Sequence, residues 1–157
     1  MTEQEILDKL IASYPDLVHG EYPFPGPFRG KDRIKAIILG ADPTHIVDGI
    51  PQQINMVFGL DKQKSPYWNG IARNIDQIGG LSVEDIYVQN VCRNYFKLET
   101  SKNKFWVEIA REYWIDFLKD ELDKMFHHEV PILMTTEFIL HASLIDSNRS
   151  IKAEGCF

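Results

Sequence analysis

The run Ile34-Lys-Ala-Ile-Ile-Leu39, stopped by Gly40, constrains this chain more than any other feature. A strand with one wet face alternates apolar and polar residues. A short, nearly continuous apolar run is instead covered on both faces, as in a parallel sheet. Asp85-Ile-Tyr-Val-Gln-Asn-Val91 and Val130-Pro-Ile-Leu-Met-Thr135 read as two more strands. Helical patterns separate them. Ser65-Pro66 offers a cap and a first-turn proline, and Tyr67, Ile71, Ile75 and Ile78 follow at helical spacing until Gly79-Gly80. The longest helix is expected over Phe105–Phe126 and a shorter one over Glu137–Ile145, with a polar, basic loop at 92–104. The order strand, helix, strand, helix, strand, helix predicts a three-layer α/β/α sandwich with a central, mainly parallel sheet and right-handed crossovers. Only Asp146–Phe157 remain after the last helix, so the fold is expected to be shortened at its C-terminus.

Ahead of this core, Ile6, Leu7, Leu10 and Ile11 recur at helical spacing behind a Thr2 cap. Glu21–Gly30 holds three prolines and two glycines and should run extended over the surface. Residues 1–33 thus form a helix and a proline-rich lead-in to one domain spanning 1–157. At 157 residues that domain should bury roughly 68–70% of its unfolded surface, enough for one ordinary core. Cys92 and Cys156 mark no disulfide framework. With no basic-then-apolar leader and no membrane-length apolar run, the expected setting is reducing, cytoplasmic and away from membranes.

A net charge of −6 argues against coating nucleic acid by bulk attraction. The stretch 31–104 is nevertheless positive, with ten basic and eight acidic residues. Lys31/Arg33/Lys35, Lys62/Lys64 and Arg93/Lys97/Lys102/Lys104 are candidate phosphate contacts, or simply a solvated face.

In parallel α/β sheets ligands sit beyond the carboxyl ends of the strands. There the chain carries Gly40-Ala41-Asp42-Pro43-Thr44-His45, with a carboxylate at the strand end and a stiffened turn after it. Asp42 is a candidate catalytic carboxylate; its structural alternative is an Asx-type turn. Phe58, in Val57-Phe58-Gly59, is either a stacking surface for a flat ligand or a core residue. Asn90 closes the second strand, where its amide can read a heterocyclic base through paired hydrogen bonds or cap the following loop.

In this order, Gly-x-Asp-Pro-x-His, Val-Phe-Gly, a Ser-Pro helix start and a strand-ending Asn resemble the uracil-DNA glycosylase superfamily over roughly residues 34–140. The likeness is strongest to its branch with a Gly-Gln-Asp-Pro-Tyr-His motif. The resemblance implies a base-flipping hydrolase that cuts the bond between uracil and deoxyribose in DNA, without a cofactor or metal. It implies that Asp42, with His45 beside it, serves the attack of water, and that Gly40, Ala41, Thr44, Phe58 and Asn90 bind the extruded base.

The sequence departs from the pattern twice. Thr44 replaces the tyrosine that in the family helps exclude thymine, and no His-Pro-Ser loop supplies a donor to the departing base. His141, in His141-Ala142-Ser143, is the only substitute, within a run that otherwise reads as a core-facing helix. His127-His128 lacks a third ligand at metal spacing and fits a helix C-terminal cap better. Two other readings follow: a module that binds a base or nucleotide without turnover, and a protein that associates with itself or a partner through an open sheet edge.

Overall fold

The computed structural model describes residues 1–31, 33–62, 66–126 and 130–144, with the backbone alone at Pro66 and Tyr67. Helix α1 (Glu3–Ser13) starts as its sequence dictates. Thr2 Oγ1 accepts from Glu5 N at 3.2 Å and Glu5 Oε2 accepts from Thr2 N at 2.7 Å, a reciprocal cap. The helix buries Ile6, Leu7 and Leu10.

The lead-in ends in a short strand, β1 (Phe28–Arg29). Strand β2 (Ala36–Gly40) is buried at all five positions. A hairpin of β3 (Ile46–Val47) and β4 (Ile50–Pro51) turns at Asp48-Gly49, both at positive φ, as tight hairpin turns require. Then come α2 (Pro66–Ile78) and β5 (Ile86–Asn90), the latter again buried throughout. The long apolar pattern folds as α3 (Trp106–Ile109) and α4 (Ile115–Met125), joined by a π-helical stretch at Ala110–Trp114. Strand β6 (Ile132–Met134) and α5 (Glu137–Ser143) complete the described chain.

The four-stranded sheet has the order β1-β5-β2-β6. Strands β5, β2 and β6 are parallel, with Gly40 level with Asn90 and Leu39 level with both Gln89 and Met134, while β1 runs antiparallel to β5. The fold is therefore a small α/β one with a mixed, mostly parallel sheet. The side-chain alternation of the strands feeds two separate cores. Ile37, Leu39 and Tyr87 pack with residues of α1, α3, α4 and α5, and Ala36, Ile38, Ile86 and Val88 pack with Val57, Leu60 and Ile75.

Three details differ from the sequence reading. Phe28 and Arg29 of the lead-in pair with β5 rather than only lying across the surface; the three prolines stop short of them, leaving their amide groups free to join the ladder. The start of the expected polar loop is buried from Cys92 to Phe96, and its later part winds into a 3-10 turn at Thr100–Lys102. Of the proposed cationic strip, Arg93 is drawn into the fold, while Lys97, Lys102 and Lys104 stay exposed. Arg93 is 5% exposed and its guanidinium pairs with Glu3 and Glu121, Lys97 donates to the Pro15 carbonyl, Lys102 pairs with Glu99 and Lys35 with Asp85. A buried guanidinium must be paired, and here the partners come from α1 and α4 instead of phosphate. Lys64, Ser65, His127, His128 and Cys156 lie outside the described residues.

Candidate active site

The pairing of β2 with β5 continues one step beyond the strand ends. Val91 N donates to Gly40 O at 2.8 Å and Cys92 N to Ala41 O at 2.9 Å. This fixes the backbone up to Asp42, the first side chain past the sheet. Asp42 does make the Asx turn: its Oδ1 accepts from Thr44 N at 2.8 Å. The other oxygen is held independently, Oδ2 accepting from Thr100 Oγ1 at 2.5 Å and from Trp106 Nε1 at 2.8 Å. A carboxylate offers about four lone-pair sites, so three bonds aim it and leave about one for a water or ligand. Although the residue keeps some solvent contact, desolvation of its carboxyl pushes the pKa above the ordinary carboxylate value. The Thr100 and Thr44 hydroxyls, Thr44 N–H and the Trp106 indole pull the other way.

Phe58 occupies a 3-10 turn at Val57–Gly59 with φ 54° and ψ 15°, a left-handed conformation uncommon for a residue with a side chain. Its neighbour Gly59 is also left-handed, at φ 64°. Strain of this kind persists only where the surroundings enforce it, and it clusters at ligand sites. The ring of Phe58 reaches the backbone at Gly40. A Cβ there would lie 2.6 Å from Phe58 Cζ and 2.4 Å from Asn90 Oδ1, so the glycine is what lets the aromatic ring and the amide meet over the end of β2.

Asn90 ends β5 and is 2% exposed. Its Oδ1 is buried and has no hydrogen-bond partner among the described residues. An orphaned acceptor of this kind costs roughly 1–3 kcal/mol, a cost that a ligand donor would remove.

These groups share one hollow. A cavity of about 230 Å³ is lined by Asp42, Phe58 and Asn90, together with Thr44 and His45. Of the residues expected at the base site, five of the seven thus line one space, and Gly40 stands directly behind two of them. Ala41 does not join them: it is packed into the core. Nor does His141, which lies at the end of α5 on a separate cavity. Thr44 performs a structural task besides lining the hollow, its Oγ1 accepting from Phe96 N at 2.8 Å and tying the β5 loop to the Asp42 turn.

The cavity also includes Gln52, Ile54, Gly59 and Lys62; the sequence marked Gly59, within Val57-Phe58-Gly59, and Lys62, as a phosphate contact or solvated charge, but neither Gln52 nor Ile54. Ile54 is positioned by Tyr95, whose hydroxyl accepts from Ile54 N at 3.0 Å. The two residues that orient Asp42 Oδ2, Thr100 and Trp106, carried no sequence signal of that role. One stands in a polar loop and the other begins an apolar helix pattern. Comparison with protein families, with characterised proteins and with solved structures finds no match to this chain.

Proposed function

We propose that the protein is a uracil-DNA glycosylase-like hydrolase on a three-layer α/β/α fold, acting on a base flipped out of DNA into the Asp42 hollow. The observation that carries this reading is the convergence of an oriented carboxylate, a strained aromatic and an orphaned amide oxygen on one cavity. Uracil presents an N–H donor flanked by carbonyl acceptors, the complement of a side-chain amide. The Asn90 amide would accept from that N–H, and Phe58 would stack on the ring face.

Cleavage develops positive charge on the sugar and negative charge on the departing base. Asp42 addresses the first and positions the water whose oxygen bonds to C1′. The electron pair of the broken C1′–N1 bond leaves with uracil, and a water proton ends on the base. For the second charge the cavity offers Lys62 and His45 in place of a histidine loop. Thr44 lacks the bulk to reject a 5-methyl group, so thymine is expected to be discriminated poorly.

The test is incubation with a uracil-containing oligonucleotide followed by alkali. Strand scission at the uracil, absent from a thymine-free control without uracil, is the expected result. Salt-sensitive binding with no scission at any enzyme excess would instead select a non-catalytic base-binding module.

The sheet edge favours a second, independent property. Ile132, Leu133 and Met134 of β6 are 45%, 37% and 40% exposed, and among the described residues no strand pairs with their outer edge. Exposed apolar edges invite strand pairing. Self-association is expected at micromolar concentration by sedimentation, and Leu133→Lys is expected to abolish it; a wild-type chain that stays monomeric there would reject this reading.

A further inference from the structure

The loop that holds Asp42 has a second working face. Thr100 and Trp106 donate to Asp42 on one side, while Ser101, Asn103, Lys104 and Val107 of the same segment line another cavity, of about 450 Å³, closed by Phe138 and His141 of α5. The glycosylase reading enters this space only through His141, its substitute for the missing histidine loop, which lies away from the Asp42 hollow.

Its polar lining is unpartnered in an informative way. Asn103 is 4% exposed. Its Oδ1 accepts from Phe105 N at 3.1 Å, which orients the amide so that Nδ2 is the unused atom. That nitrogen is buried and has no acceptor among the described residues. His141 Nδ1 is likewise buried without a partner among the described residues, and the imidazole can present either a donor or an acceptor there. Lys104 is exposed and makes no ion pair among the described residues, in contrast to Lys102, which is taken by Glu99. The Arg111 guanidinium adds a second positive charge behind the site, donating to the carbonyls of His141 and Ala142. Two open N–H or ammonium donors, a hydroxyl and an adaptable imidazole, with no carboxylate in the lining, call for a ligand rich in acceptors and negative in charge. Phe138 and Val107 supply an apolar wall for whatever carries that charge.

We propose that this cavity is a phosphate-binding site, with Asn103 Nδ2, Lys104 Nζ and Ser101 Oγ as its donors. A phosphate offers more acceptors than a carboxylate, in a geometry that several separate donors can meet at once. The site stands on its own geometry and would persist whether or not the Asp42 hollow turns over a base.

Titration with inorganic phosphate, read on the Asn103 side-chain amide resonances by NMR, tests it. A saturable downfield shift is expected, with affinity falling about tenfold in Lys104→Glu, a surface change that leaves folding intact. Two further arms identify the source of the phosphate. A uracil-free single-stranded oligonucleotide that binds more tightly than inorganic phosphate, and loses that advantage in Lys104→Glu, would assign a strand phosphate; a nucleoside monophosphate that equals or exceeds the oligonucleotide would assign a free one. Both outcomes support the site. The absence of a saturable shift with all three ligands, or a shift that Lys104→Glu and Ser101→Ala leave unchanged, overturns it. Asp42→Asn is expected to keep the phosphate response, so loss of excision and loss of this site are separately visible.

Discussion

Asp42→Asn is expected to lower uracil excision by at least about 10²-fold, equivalent to roughly 2.7 kcal/mol of transition-state stabilisation. The substitution removes the only carboxylate that lines the hollow among the described residues. Its effect on folding should be much smaller, and the hydrogen bonds explain why. An asparagine whose oxygen still accepts from Thr44 N turns its NH₂ toward Thr100 and Trp106. The Thr100 hydroxyl can rotate and accept from it, whereas the Trp106 indole, a donor only, loses its partner. That loss costs about 1–3 kcal/mol, and the relief of burying a charge offsets part of it. Thermal unfolding should therefore shift by only a few degrees. Excision that survives in the variant would exclude Asp42 as the group that serves the water.

The same carboxyl sets a pH dependence with opposite signs for activity and stability. Burial raises its pKa in the folded chain above the ordinary value. Between the unfolded and folded pKa values the native state binds more protons than the unfolded state. This group's ionisation therefore removes stability as pH rises through that window, and below it the penalty is absent. Excision, which needs the carboxylate, should rise over the same window. Asp42→Asn should flatten this group's part of the stability profile.

How much of this was legible beforehand follows from what each signal depends on. The uninterrupted apolar runs at 36–39 and 86–88 report burial on both faces, a local property, and those two strands sit at the centre of the sheet. Asp42, Phe58 and Asn90 were legible because each stands at a strand end or beside a glycine. The partners of Asp42 were not. Trp106 and Thr100 lie 64 and 58 residues away in sequence, and their residue types serve equally well as core and loop. Arg93 misled for a related reason. Beside Lys97 and Lys102 it reads as surface charge, and only the return of α1 and α4 to the same place supplies Glu3 and Glu121. Long-range pairing of polar groups leaves no periodicity to read. It therefore hid both the burial of Arg93 and the missing half of the carboxylate's environment.

Gly40→Ala should damage binding more than stability, which distinguishes a site from a packing detail. The added methyl would meet Asn90 Oδ1 at 2.4 Å and Phe58 at 2.6 and 3.1 Å, so both side chains must move. Overpacking of this kind costs roughly 1–3 kcal/mol, a loss of about 2–12 °C in Tm for a chain of this size. The larger effect is on the ligand. With Phe58 and Asn90 displaced from the hollow, stacking and edge recognition are lost together, and binding of free uracil measured by calorimetry should weaken by at least about tenfold, given roughly 1–3 kcal/mol for each contact. Adding Phe58→Gly separates the two consequences. It frees the space under the new methyl and suits the φ of 54°, so Tm should partly recover. Uracil binding should stay lost, because the stacking ring is gone. If Gly40→Ala bound uracil as the wild type does while losing stability, the glycine would serve packing alone, and the hollow it shapes would not be the base site.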